Sequence, residues 1–193
     1  MGKYILLDII NAVCDYGWYS LILAAIIISS ILCIISIFKL TKGCSVKAYI
    51  WNHRYSFLLG YVFCAYIFLV VSITLLSRPR GSRVGTDLIP FSTFSPNPLY
   101  SRYPIENILL FIPFGFILPS LWEPFRKIYL CLGTGLVFSI GIEIIQLITK
   151  RGFFQLDDVL TNVMGAIIGF VANFILLLTC HLAKKNIGSK SRF

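Results

Sequence analysis

Apolar side chains gather in five long runs, at 18–38, 56–76, 105–122, 128–148 and 159–180, each bounded by short polar stretches. A helix needs about 20 predominantly apolar residues to cross the hydrocarbon of a bilayer, and each run is near that length. The predicted fold is therefore all-α, an integral membrane bundle of about five transmembrane helices forming a single membrane domain over 1–193. The first run is too long and too far from Met1 for a cleavable leader, and no small-residue cleavage pattern follows it, so it is expected to stay as an anchor. Leu6 stands where N-myristoylation needs Ser or Thr. The longest connection, 77–104, is rich in Arg, Gly, Ser and Pro. It carries the apolar patch Leu88-Ile89-Pro90-Phe91, which is expected to lie on the membrane surface or fold over the bundle.

Composition agrees with the pattern. Of 193 residues, 58% are apolar and only 13% charged, with a mean hydropathy of +0.85. Soluble domains carry about twice that share of charge, so a soluble enzyme, a nucleic-acid-binding domain and a disordered chain are excluded. The excess of 17 Lys and Arg over 8 Asp and Glu then reads as basic loops beside anionic lipid headgroups, with membrane lipids and not nucleic acid as partners. Cys33, Cys64, Cys131 and Cys180 fall in apolar runs and act as small hydrophobes. Cys14 and Cys44 flank the first span on opposite sides, so no disulfide framework follows. Neither a CxxC nor a His pair with metal spacing exists; His53 and His181 are isolated, and no metal or cofactor is expected. Five spans divide the cations seven to ten, the ten on the side of the C-terminus and in shorter segments. The positive-inside bias then favours N-terminus out and C-terminus in.

An ionisable residue inside a span costs on the order of 2.5–3.5 kcal/mol on insertion scales, which makes each one a candidate for function. Glu143 is the acid well inside a span. Gln146 at i+3 and Ser139 at i−4 share its helix face. The fifth span opens with Asp157-Asp158, and Asp158, Asn162, Gly165, Gly169 and Asn173 recur at a 4-3-4-4 spacing, one face of a helix. Gly165 and Gly169 form a GxxxG pair, expected to let this span pack tightly against another. One of the two aspartates is accounted for by its place at a helix N-terminus. The third span opens with Glu106-Asn107 and contains Pro113, Gly115 and Pro119, which imply a kink or a freed carbonyl. Alternation of the spans assigns Arg78, Glu106, Asn107, Glu143, Gln146, Arg151, Asp157, Asp158 and Asn162 to one side of the membrane. The opposite side has Glu123 and otherwise basic loops.

The stretch from Asn107 through Ile112-Pro113-Phe114-Gly115 to Pro119, then Glu143-x-x-Gln146, then Arg151 followed by Asp157-Asp158 and Asn162-Val-Met-Gly165, resembles the VanZ-like family over about residues 70–175. Arg78 and the Leu88-Ile89-Pro90-Phe91 patch resemble that family's upstream elements. Gln155 departs from the pattern, since an acid usually stands there, as does Asp87, where Asn is frequent. The resemblance implies a bacterial plasma-membrane protein associated with resistance to teicoplanin-type glycopeptides through reduced binding of the antibiotic at the cell surface.

Three uses of the polar residues stay open. In the first, an outward-facing site holds an anionic group of a lipid-linked cell-wall intermediate or of the antibiotic on Arg78 and Arg151. Glu143 and Asp158 are then its central pair, and Glu106, Asn107, Gln146 and Asn162 line it. In the second, the chain is an enzyme altering such an intermediate, with Glu143 as general acid or base and Asp157/Asp158 as partner or divalent-metal ligand. No Ser/His or Cys/His nucleophile pattern and no phosphate-cradling glycine loop supports that one. In the third it is a small transporter of lipid or antibiotic, for which the interrupted third span is the one feature. A purely structural ion-pair network is the bland alternative to all three.

Overall fold

The computed structural model describes residues 2–42, 45–76, 81, 85–93 and 102–190. Six α-helices carry nearly all of them: α1 (Gly2–Thr41), α2 (Val46–Asn52), α3 (Arg54–Val71), α4 (Arg102–Leu121), α5 (Ile128–Thr149) and α6 (Leu156–Lys190). A π-helical turn, Ser72–Leu76, extends α3, and a 3₁₀ turn, Glu123–Arg126, joins α4 to α5. Two dipeptide strands, β1 (Thr86–Asp87) and β2 (Phe154–Gln155), pair in parallel, Thr86 with Phe154 and Asp87 with Gln155. Among the described residues, five stretches are long and apolar enough to span a membrane: Ile5–Thr41, Arg54–Leu76, Tyr103–Leu121, Ile128–Thr149 and Leu156–Ala183. The all-α expectation holds. The chain forms two compact units, Met1–Gly85 with Ile144–Phe153, and Thr86–Glu143 with Phe154–Phe193.

In the first unit α1 and α3 pair side by side. The Tyr61 hydroxyl donates to the Leu21 carbonyl at 3.3 Å, and Ala24 and Ser20 are buried. The Ser20 hydroxyl bonds the Tyr16 carbonyl one turn back, the usual way a span keeps a buried hydroxyl satisfied. Helix α1 starts well before the apolar run at 18–38. Asp8, Asn11 and Asp15 interrupt the hydropathy there, but at a 3-4 spacing they occupy one helical face and leave the helix intact. Between the two helices, Ser45 accepts from the Ala48 amide and starts α2 inside what reads as a basic loop. Cations cover the rings nearby: Lys39 over Tyr49 and Lys42 over Phe38 at 4.4 Å, Arg54 over Trp51 and Tyr55 at 4.5 Å. Such amphipathic pairs suit a membrane–water boundary.

The core of the second unit is the α4–α6 contact, and small residues make it. A Cβ at Gly165 would fall on the Ile108 carbonyl oxygen, one at Gly169 on that of Ile112, and one at Gly115 on that of Ala166. The GxxxG pair of α6 thus faces the backbone of α4, and Gly115 of α4 answers from the other side. Further along, Asn173 donates to the Phe116 carbonyl at 2.8 Å and to the Ser120 hydroxyl, fixing the register of the two helices. Helix α4 runs unbroken through Pro113 and Pro119. Helix α5 joins through Phe138, whose ring lies 5.8 Å from Phe111 and 5.7 Å from Phe114.

Candidate functional site: polar groups at the span ends

In the first unit the polar residues serve the end of the second span. A helix terminus leaves its last carbonyls without partners, and here the π-helical turn holds them. The Gln146 amide nitrogen donates to the Thr74 carbonyl at 2.9 Å, and an Arg151 guanidinium nitrogen donates to Leu75 at 2.7 Å. A cation at that end also complements the helix dipole. Arg151 reaches it because α5 closes in a Schellman turn: the Arg151 amide bonds the Gln146 carbonyl at 2.9 Å and the Lys150 amide bonds Leu147 at 3.2 Å. That closure sets Lys150 at φ 56°, where a side chain costs roughly 1 kcal/mol. Lys150→Gly should accordingly raise stability against denaturant by about 1 kcal/mol. An unfolding titration in detergent checks it, and a loss of stability there would contradict the turn described.

In the second unit, Asp157 lies in the first turn of α6 and is 2% exposed. Its carboxylate accepts from the Phe91 amide at 2.6 Å, the Thr93 amide at 2.9 Å and the Thr93 hydroxyl at 2.7 Å. Asp87 completes the same turn, accepting from the Ile89 amide at 3.2 Å and the Ser92 hydroxyl at 2.7 Å. Asp157 is therefore an anchor for the 87–93 segment. Asp158 is buried one helical turn before Asn162.

Glu143 is 2% exposed, and its Oε2 accepts from the Gln155 amide at 2.9 Å. That backbone donor comes from β2, so the departure at position 155 leaves the contact intact: the main chain makes it, whatever the side chain. One turn deeper, the Asn162 amide nitrogen donates to the Ser139 hydroxyl at 2.9 Å, both buried. Two buried acceptors, Oδ1 of Asn162 and Oε1 of Gln146, take no hydrogen bond among the described residues. A buried acceptor left so costs on the order of 1–3 kcal/mol.

Glu106 and Asn107 are half-buried in the first turns of α4. Arg78 lies outside the described residues. Gln146 and Arg151 belong to the first unit, and Glu106, Asn107, Glu143, Asp157, Asp158, Asn162, Gly165 and Gly169 to the second. Sequence reasoning missed Thr93 and the Phe91 amide as partners of Asp157, and the Thr74 and Leu75 carbonyls. The first pair carried a signal, an Asp87-x-x-Pro90 turn pattern; main-chain acceptors leave none. Among the described residues no cluster of His, Cys, Asp and Glu is arranged to hold a metal.

Residues 63–178 match VanZ/LLP1, more than half of the chain. The chain belongs to the VanZ/LLP1 family. No curated protein and no solved structure matches it. The family match runs from within α3 to within α6 and so takes in the polar contacts of the candidate site, leaving α1 and α2 with their own contacts outside. With five apolar helices long enough to span, this VanZ/LLP1 member is a multi-pass membrane protein.

Proposed function

We propose that this chain acts in a bacterial plasma membrane, N-terminus out and C-terminus in, and lowers susceptibility to teicoplanin-type (lipo)glycopeptides by reducing their binding at the cell surface. The observation that carries the reading is a carboxylate buried in an apolar span, Glu143, with the Ser139–Asn162 pair one turn deeper. Polar groups at such positions are costly to insert, and packing alone has no need of them. Membership of the family supports the phenotype, and the Lys and Arg bias of the loops supports the outward direction of these span ends. Glu143 and Asp158 are the acidic pair of this site, with Asn107, Glu106 and Asn162 around it. The bound group is an anionic or polar part of a lipid-linked cell-wall intermediate or of the antibiotic.

Glu143→Gln separates function from scaffolding. The amide keeps an oxygen for the Gln155 N–H while removing the charge, so stability should change by less than about 1 kcal/mol. In a susceptible Gram-positive host, with membrane abundance matched, the wild-type chain should raise the teicoplanin concentration needed to stop growth. Glu143→Gln or Asp158→Asn should abolish that gain. Full protection by both variants would leave the carboxylates a structural role only. Transfer of a group to a lipid-linked intermediate, or movement of a labelled lipid in proteoliposomes, would instead direct the same site to catalysis or transport.

A further inference from the structure

The segment that Asp87 and Asp157 hold is built to keep apolar side chains out in the open. Leu88, Ile89 and Phe91 are 60%, 70% and 69% exposed. A free loop of this composition would collapse onto itself or onto the bundle to shed that surface. Here the backbone is fixed against such collapse. Pro90 sets the second position of a turn closed by the Ser92 amide on the Ile89 carbonyl at 3.4 Å, and Phe91 sits at φ 65°, the left-handed geometry that the third position of such a turn needs. Phenylalanine adopts it at a cost of roughly 1–2 kcal/mol. The bonds from its amide and the Thr93 amide to Asp157 offset that cost.

The depth of the turn is fixed as well. Asp157 belongs to the first turn of α6 and to the stretch Leu156–Ala183 that is long and apolar enough to cross a membrane. Its carboxylate bonds the turn's main chain directly, so the turn stands level with the start of that span. That level is the boundary between headgroups and acyl chains, where a short rigid segment with leucine, isoleucine and an aromatic ring is at home. We propose that the turn at 88–91 is a lipid-contacting wedge, a fixed element that inserts Leu88, Ile89 and Phe91 into the acyl-chain boundary beside the entrance of the fifth span. This requires only that α6 spans the membrane, and it stands whether or not the antibiotic reading does.

The test is a nitroxide at Ile89→Cys in the full chain, its native cysteines replaced by alanine, reconstituted in phosphatidylethanolamine and phosphatidylglycerol vesicles. Collision with oxygen, which concentrates in lipid, is compared with collision with a water-soluble nickel chelate. Glu123→Cys in the exposed turn between α4 and α5 and Ile167→Cys on the exposed face of α6 give the two reference values. The expected oxygen-to-nickel ratio at 89 is severalfold above that at 123 and on the side of 167. A ratio like that at 123 places the turn in water and overturns the proposal. Low collision with both reagents means that protein covers it, which overturns the proposal too. Should Ile89→Cys fail to reconstitute, Leu88→Cys reads the same boundary.

Discussion

Valine at Gly169 should cost this protein about 3 kcal/mol of stability or more, and most of its folded fraction in mild detergent. Overfilling a packed core ordinarily costs about 1–3 kcal/mol, but the obstacle here is main chain. The first atom of the new side chain would clash with the Ile112 carbonyl oxygen, and no rotamer change relieves that. The helices would have to part, releasing the Asn173 bonds to Phe116 and Ser120 as they did. Gly133→Ala is the control: nothing stands near its missing Cβ, and alanine gains up to about 1 kcal/mol over glycine within a helix. Helicity followed through a titration with sodium dodecyl sulfate separates the two. Equal stability in both variants would contradict the α4–α6 contact.

The second large effect is expected at Asp157. Alanine there strips the acceptor from two amides and a hydroxyl at once. Bonds to a charged group are worth about 1.5–3 kcal/mol each and do not add fully, so a local loss on the order of 3 kcal/mol follows. The amides of Phe91 and Thr93 should then exchange with deuterium about a hundredfold faster, since 1.4 kcal/mol is tenfold. Asp157→Asn, which retains one carbonyl oxygen, should fall between. Asp158→Asn should leave both amides as they are, because the bonds that hold them go to Asp157. Equal acceleration by the two neighbouring substitutions would mean that the turn is not held by Asp157 in particular.

The contrast between these aspartates marks how far the sequence could be read. Spans are set by apolar area, a one-dimensional quantity, so the five runs were legible, and the glycine spacing of the fifth already named one helical face. What that face would meet was not legible, because the partners of Gly165 and Gly169 are carbonyls of Ile108 and Ile112 and every residue has a carbonyl. The same reason hid the acceptors of Gln146 and Arg151, Thr74 and Leu75. Two-residue strands carry no alternation to detect, so β1 and β2 were invisible, and with them the Gln155 amide that meets Glu143. The basic stretch at 39–55 gave no helical run, and the cap at Ser45 that starts α2 is a signal of one residue. Polar residues at the span ends stand out in the sequence, but which of them hold the fold depends on main-chain geometry, which the sequence does not spell out.

The central claim, that this VanZ/LLP1 member reduces glycopeptide binding at the cell surface, is tested most directly by counting bound antibiotic. Fluorescent teicoplanin is applied to susceptible Gram-positive cells with and without the chain, and with Glu143→Gln at equal membrane abundance. The account predicts severalfold less bound teicoplanin on cells carrying the wild-type chain, and binding restored by Glu143→Gln. Equal binding on cells with and without the wild-type chain would contradict it.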